Sequence, residues 1–164
     1  MGTIIEFQPW RVSELYPHIG KIMTQWGFLD FPVRAAVAAV HSLPAAKLIE
    51  QEPPRAMSRR LRFLRKTTRK IPELASFTER TADLCGRVAK FGEIRDGLAH
   101  GYPSFYEIES GTIAFMRLDS GETTHISQEL RITIPELIGA GSAIEWLAND
   151  FGVLAHDILD SGVV

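Results

Sequence analysis

The chain changes from helices to strands at one place, SFTERTADLCGRVAKFGEIRDGLAHGYP, which covers residues 76–103. Most of this stretch has the three-four spacing of an amphipathic helix, because one helical face recurs at that interval. The positions on that face are Phe77, Thr81, Leu84, Val88, Phe91, Arg95 and Leu98. Ser76 with Glu79 predicts a capping box at the helix start, and Gly101 with Pro103 predicts its end. We therefore expect one long helix here.

Two further helices are predicted before this one. In the first, apolar residues keep an unbroken helical phase over residues 19–40, although Pro32 lies inside the run. Because proline removes a backbone donor and clashes with the preceding turn, one kinked helix is favoured, and a new start with Asp30 as N-cap is the alternative. The second helix has its apolar face over residues 57–71, and most basic residues of that segment lie on its other faces.

The segment of residues 104–133 is predicted to form a small β insertion. Its apolar residues change from helical to alternating spacing over 105–109, 112–118 and 123–127, which is typical of strands. Because each of these strands is short, we expect a meander packed on the helices rather than an independent sheet.

A last helix follows this insertion and has the clearest apolar face in the chain, over residues 137–158. Thr133 and Glu136 predict a capping box at its start, with Pro135 in the first turn. Trp146 is expected to anchor the core, as are Trp10 and Trp26 earlier in the chain. Since four long amphipathic helices must bury their apolar faces against one another, we predict a mainly α protein. Its architecture is a four-helix-type bundle with an antiparallel β-meander inserted before the last helix.

Composition narrows the class of protein. With 164 residues, 45% hydrophobic and 23% charged, and no linker, the chain fits a single domain over residues 1–164. No apolar run reaches the roughly 18 residues that a membrane helix needs, so we expect no membrane partner. The single cysteine, Cys85, excludes an internal disulfide and a cysteine-cluster zinc site, and it predicts a cytoplasmic location.

The charge is unevenly distributed, although the formal net charge is only −2. Eight of the 18 basic residues lie between Arg55 and Lys70 with no acidic residue among them, and the other ten accompany all 20 acidic residues. Such asymmetry suggests a polyanion or an acidic partner protein, but a solvated helix face also explains it and is the interpretation that the sequence favours. The predicted RNA-binding residues are Arg59, Arg62, Lys66 and Arg69.

Arg95 points to chemistry, because it occupies a slot in a helix face that is otherwise apolar apart from Thr81. Burying a guanidinium without a partner is costly, so Arg95 reaches the surface, pairs with an internal carboxylate or lines a cleft that receives an anion. His100 lies five residues on, about 140° around the helix. Asp96 and His100 share a face, so the carboxylate could hold the imidazole. An imidazole that exchanges protons beside a fixed guanidinium suits phosphoryl chemistry.

The segment EIRDGLAHG, residues 93–101, resembles the signature of HEPN domains (higher eukaryote and prokaryote nucleotide-binding). That signature is an arginine, a polar residue, a few further positions and a histidine at a helix end. The resemblance implies a helical bundle, a homodimer and, as in many members, a metal-independent endoribonuclease with no cofactor. It implies Arg95 and His100 as the catalytic pair, with Asp96 between them. It also implies a role in toxin–antitoxin systems or antiviral defence, with an antitoxin-like partner protein.

RNA cleavage by the 2′-hydroxyl needs one group to take its proton and another to protonate the leaving 5′-oxygen. The motif supplies one histidine per chain, so a symmetric dimer with two copies in one cleft would supply both groups. We therefore expect Arg95 and His100 at the dimer seam. The alternative is a non-catalytic module that binds nucleotides or RNA or mediates dimerisation, in which Arg95 and His100 stabilise the dimer or bind a nucleotide. A further interpretation is that His100 only caps its helix. No metal site is expected, since the other histidines lack metal-ligand spacing.

Overall fold

The computed structural model describes residues 4–6, 13–107, 109–120 and 125–163. This part of the chain is mainly helical, as predicted. The α-helices are α1 (Tyr16–His41), α2 (Pro44–Ile49), α3 (Met57–Lys70), α4 (Thr78–His100) and α5 (Ile134–Asp160), and a 3-10 helix covers Pro72–Phe77. The strands are β1 (Ile4–Glu6), β2 (Tyr102–Glu107), β3 (Thr112–Ser120) and β4 (His125–Thr133). None of the described helices combines the length with the apolarity that crossing a bilayer requires.

The chain forms two compact units. The sheet unit consists of the described residues up to Thr24 and of Phe91–Ala143, and the helical unit consists of Gln25–Lys90 and the described residues from Ile144 onward. Helices α1, α4 and α5 contribute residues to both units. Buried side chains of the sheet unit include Leu15, Ile22, Leu98, Ile113, Phe115, Ile132 and Leu137. Those of the helical unit include Leu29, Val33, Phe63, Leu64, Leu147, Phe151 and Leu154.

The predicted antiparallel meander before the last helix is confirmed. Strands β2, β3 and β4 are successive antiparallel neighbours, and β1, which was not predicted, pairs with β2 as a fourth strand. The predicted end of the last strand at residue 127 is wrong, because β4 continues to Thr133 in register with β3. Charged residues in its second half obscure the alternation, and one of them, Arg131, lies over the Phe105 ring with its guanidinium carbon 4.9 Å from the ring centroid.

The two predicted capping boxes have different outcomes. The box before α5 is confirmed: the Thr133 backbone N–H donates to the Glu136 carboxylate at 2.8 Å, and the Glu136 N–H donates to the Thr133 hydroxyl at 3.3 Å. The box of Ser76 and Glu79 is wrong, because a 3-10 helix runs through Ser76 and α4 starts at Thr78. The Thr78 hydroxyl donates instead to the backbone carbonyl of residue 68, at 2.7 Å.

Helix α1 runs through Pro32 without a second start, as the unbroken apolar phase favoured. Asp30 does not cap a new helix; its carboxylate pairs with Arg34 and Arg60. Of the three tryptophans expected in the core, Trp26 is half-buried on α1 and Trp10 lies outside the described residues. The expectation for Trp146 is wrong, because this residue is 68% exposed on α5. It lies outside the apolar face of the helix, which is defined by buried neighbours such as Leu147.

Candidate functional site

Arg95 and Asp96, near the end of α4, form an ion pair with each other. Arg95 donates from Nη1 to Oδ1 of Asp96 at 2.7 Å, and the two side chains are 33% and 51% exposed. Of the three explanations open for Arg95, pairing with a carboxylate is observed, although this carboxylate is its half-exposed neighbour rather than an internal one. The Nε atom of Arg95 is buried and has no hydrogen-bond partner among the described residues. The guanidinium is therefore only partly satisfied.

His100, the last residue of α4, is exposed. Asp96 lies four residues earlier on the same helical face. The carboxylate is engaged by Arg95, and no hydrogen bond between His100 and Asp96 is present in the described part of the chain. The imidazole is thus open to solvent at the helix end, where a ligand or a second protein chain can reach it.

The glycines within the motif let the sheet approach α4 closely. A Cβ atom on Gly97 would lie 2.7 Å from Cδ2 and 3.0 Å from Cβ of Leu130 on β4. A Cβ atom on Gly101 would lie 2.3 Å from the Gly97 carbonyl oxygen and 3.1 Å from Cβ of Phe115 on β3. Real Cβ atoms do not tolerate such distances, so the missing side chains serve packing. These two positions of the motif have a structural reason independent of catalysis.

A cavity of about 380 Å³ lies between this part of α4 and strands β3 and β4, within the sheet unit. The residues around it include Glu93, Asp96, Gly97, Arg117, Glu129 and Leu130. Asp96 is the one predicted catalytic residue among them; Arg95 and His100 do not line the cavity. Three carboxylates against one guanidinium give it an acidic lining, which is unfavourable for a phosphate. The structure brings Arg95 and Asp96 together but does not gather all three predicted residues around one cavity.

Tyr102 is a candidate that the sequence pattern did not identify. It is 52% exposed at the first position of β2, two residues after His100. The predicted first strand began only at residue 105, so residues 101–104 carried no expected orientation. An exposed aromatic ring provides a surface on which a nucleotide base can stack.

The predicted RNA-binding residues all lie on one exposed face of α3. Arg59, Arg62, Lys66 and Arg69 are exposed, and their three-four-three spacing keeps them within an arc of about 80°. Arg65 and Lys70 are exposed as well. We name these six residues the cationic face. Ser58 is the other exposed residue of the helix, so the solvent side of α3 is almost wholly basic.

The buried side of α3 explains why the cations lie outside. Leu61, Phe63 and Leu64 are buried together with Thr67 and Thr68. Both threonine hydroxyls donate to carbonyls one turn earlier, from Thr67 to Phe63 at 2.8 Å and from Thr68 to Leu64 at 2.9 Å. These bonds satisfy the only side-chain polar groups that threonine brings into the core. Arg60 is the one basic residue of α3 on the buried side, and the other six are exposed.

The cationic face has no internal counter-charge. Within the part of the chain that the structure describes, none of its six residues has a carboxylate within 4.0 Å. Four other arginines of the helical unit have a carboxylate partner. Arg34 and Arg60 pair with Asp30, Arg80 pairs with Asp157 at 2.5 Å, and Arg87 pairs with Asp150 at 3.6 Å. Lys47 and Arg55 also lack a carboxylate partner among the described residues, but on α3 six unpaired cations share one side of a single helix.

Metal and thiol chemistry find no support in the described residues. No three His, Cys, Asp or Glu side chains among them lie close enough to hold a metal ion. Cys85 is buried, and burial raises the pKa of its thiol to about 12, with the charge of Arg65 opposing the change. A thiol that stays protonated at neutral pH is a poor nucleophile and a poor metal ligand.

The chain matches no protein-family model, no curated protein and no solved structure.

Proposed function

We propose that this protein is a HEPN-like, RNA-acting protein of the cytoplasm that binds RNA along the cationic face of α3 and works as a homodimer. The observation that carries the proposal is the set of six exposed basic side chains without a carboxylate partner in the described part of the chain. Phosphates can approach them without breaking an internal ion pair. The resulting affinity comes from counterion release and depends on salt rather than on base sequence.

RNA cleavage at Arg95 and His100 is the second part of the proposal. The 2′-oxygen attacks the phosphorus while one imidazole takes its proton, and the bond to the 5′-oxygen breaks as a second, protonated imidazole donates to it. Since each chain has one such histidine, both protons are handled only where two copies of His100 meet. Arg95 stabilises the charge that develops on the phosphorane oxygens. The products have 2′,3′-cyclic phosphate and 5′-hydroxyl ends, and no metal is required.

Exposed aromatic and aliphatic side chains support an assembly with a second copy. In the sheet unit, Tyr102, Tyr16 and Ile138 are exposed, and Tyr102 adjoins the motif. In the helical unit, Trp146 and Val153 are exposed seven residues apart on α5 and so share a helical face. Large exposed apolar groups commonly mark interaction surfaces. An antitoxin-like partner protein would bind the same kind of surface.

A second candidate is a non-catalytic module that binds RNA or nucleotides and dimerises. The ion pair between Arg95 and Asp96 favours it, because a phosphate that approaches Arg95 meets the negative charge of a carboxylate 2.7 Å from Nη1. A negative charge at that position repels the phosphate by the same Coulomb interaction that binds the arginine. Replacing the carboxylate by an amide therefore separates the two candidates.

The test is cleavage of a labelled RNA pool by purified protein in EDTA. The variants are Arg95→Ala, His100→Ala and Asp96→Asn, and the control is His156→Ala, which removes another exposed histidine, one that pairs with Asp160 at 3.0 Å. We expect cleavage by the wild type and by His156→Ala, at least a hundredfold loss in His100→Ala and Arg95→Ala, and cyclic phosphate ends on the products.

The outcomes divide the two candidates. Cleavage that survives in His100→Ala would exclude this histidine as the proton-transfer group. RNA that stays intact with every variant, but is retarded on a gel by the wild type, would support the non-catalytic module. Cleavage gained only in Asp96→Asn would show that the carboxylate holds the site inactive.

A further inference from the structure

A second cavity, of about 470 Å³, lies in the helical unit at the carboxyl end of α1. Its polar lining comes from three separate segments: α1, α2 and residues 53–60. The polar residues are Arg34, His41, Ser42, Lys47, Arg55 and Arg60. Its volume falls within the range of small-molecule sites, which is roughly 300–1,000 Å³. This cavity shares no residue with the cationic face or with the Arg95–His100 segment.

The lining of this cavity is strongly basic. Four of its side chains are arginine or lysine, and none of the described residues that line it is acidic. The nearest carboxylate identified by an ion pair is Asp30, which binds Arg34 from Oδ2 at 2.7 Å and Arg60 from Oδ1. Even with that charge counted, the cavity keeps an excess of positive charge. Walls of low dielectric strengthen the attraction that such a cavity exerts on an anion.

Arg60 provides a fixed guanidinium for this cavity. It is only 6% exposed, and its Nε donates to the Pro54 carbonyl at 3.1 Å while Nη1 donates to Asp30. A guanidinium has five N–H groups in a planar fork, so these bonds leave several donors. The Nη2 amino group makes no hydrogen bond to any described residue. The guanidinium is thus held in place with donors still available to an anion.

The remaining lining suggests an organic phosphate rather than a bare ion. Lys47 and Arg55 are exposed and have no salt-bridge partner among the described residues, so they can close over an anion. Val37, Pro53 and Pro54 provide an apolar wall. Charged donors beside apolar surface are the combination that recognises a phosphate attached to a larger, partly apolar group.

We propose that this cavity binds a phosphomonoester, with Arg60 as the fixed contact and Lys47 and Arg55 as contacts from the rim. The monoester is the phosphate of a free mononucleotide or the terminal phosphate of an RNA strand. The site shares no residue with the proposed RNA-binding face or cleavage site, and its binding does not require either.

The test is calorimetric titration of the full chain with inorganic phosphate, AMP and adenosine. The test variant is Lys47→Ala/Arg55→Ala, and the matched control is Arg62→Ala/Arg69→Ala, which removes the same charge from the cationic face. Both pairs are exposed, so both variants are expected to fold, which thermal melting checks. We expect AMP to bind the wild type and the control with equal Kd within twofold, the test variant to bind at least tenfold more weakly, and adenosine not to bind.

The source of the phosphate is identified with one further pair of ligands, an oligoribonucleotide with and without a 5′-phosphate. The strand end is supported if, in Arg62→Ala/Arg69→Ala, the phosphorylated strand binds more tightly than both AMP and the strand without the phosphate. The free mononucleotide is supported if AMP binds that variant at least as tightly as the phosphorylated strand. The proposal is overturned if neither AMP nor the phosphorylated strand binds the wild type better than its phosphate-free counterpart. An equal loss of binding in both variants would also overturn it. AMP binding that is lost in Lys47→Ala/Arg55→Ala and kept in Arg62→Ala/Arg69→Ala, together with no RNA binding along α3, would refute the proposed function alone.

Discussion

Helices α3 and α4 both have arginines that solvent can reach, and these arginines differ in whether a carboxylate pairs with them. Near the end of α4, Arg95 is bound by its own neighbour Asp96 at 2.7 Å. On α3, the cationic face has no carboxylate partner within the described residues, while the inward-facing Arg60 is paired and buried. The difference teaches where a polyanion can bind at least cost. A phosphate reaches α3 without repulsion from a paired carboxylate, but at Arg95 it meets the negative charge of Asp96.

The largest expected effect concerns the contact between α3 and α4 in the helical unit, where the Cys85 thiol donates to the Leu61 carbonyl at 3.6 Å. Cys85 lies against the inner side of α3, and burial raises the pKa of its thiol to about 12. The thiol therefore stays protonated at pH 8 as long as solvent does not reach this side of the helix. We expect its reaction with Ellman's reagent at pH 8 to be about a thousandfold slower than that of the urea-unfolded chain. A native rate within tenfold of the unfolded rate would mean that the inner side of α3 is not sealed.

The next effect compares two partnered arginines. Asp30→Ala leaves the buried Arg60 guanidinium without its carboxylate, and we expect a loss of about 3 kcal/mol in the free energy of unfolding. Asp83→Ala is the control, since Asp83 is exposed and pairs with Arg87 at 3.6 Å one turn along α4. That variant should lose less than about 1 kcal/mol. Urea titration measures both, and equal losses would contradict the burial argument for Arg60.

A smaller effect concerns how closely α4 packs against the sheet at Gly97. Gly97→Ala places a Cβ atom against Leu130, and we expect a loss of roughly 1–2 kcal/mol because side chains of the sheet must move. Gly86, on the same helix, has open space around its Cβ position. Gly86→Ala should therefore gain about 0.5–1 kcal/mol from helix propensity. Thermal unfolding of both variants decides, and a neutral Gly97→Ala would remove the packing explanation for this part of the motif.

The smallest effect concerns a carboxylate whose partners are neutral donors. The backbone N–H and the hydroxyl of Thr133 lower the pKa of Glu136, which is fully exposed. A lowered pKa means that the capping contribution is present above the pKa of the unfolded chain and is lost as the pH falls through the folded value. Carboxyl-detected NMR titration should give Glu136 a pKa below that of ordinary glutamate. In Thr133→Ala that pKa should rise; an unchanged value would argue against the cap.

The parts of the fold that sequence predicts well are those set by periodic burial. The apolar faces of α1, α3, α4 and α5 follow from residue spacing alone, because each face must be buried. Competition between neighbouring local structures is harder to predict from the sequence. Ser76 and Glu79 fit a capping box, yet a 3-10 helix that begins at Pro72 runs through Ser76. Trp146 was misjudged because size suggested burial, whereas its position on α5 directs it outward.

The candidate site shows the same division. The exposure of Arg59, Arg62, Lys66 and Arg69 follows from their place opposite the apolar face of α3. The burial of Arg60 does not, because it depends on Asp30, a partner thirty residues away. The contact between Gly97 and Leu130 likewise joins distant segments, and no single-sequence pattern encodes such a distance. The basic cavity was missed for this reason, since α1, α2 and residues 53–60 each supply only part of it.

The most direct test of the account measures RNA affinity against salt concentration by fluorescence anisotropy, with a labelled single-stranded RNA. Arg62→Gln/Arg69→Gln removes two unpaired charges from the cationic face, and Arg80→Gln/Arg87→Gln removes two charges that are paired with Asp157 and Asp150. We predict that the first variant binds more weakly and lowers the slope of log K against log salt by about 1.4, which corresponds to two phosphate contacts. The second should keep the wild-type slope. Equal slopes in both variants, or no RNA binding by the wild type, would contradict the claim that the cationic face of α3 binds RNA.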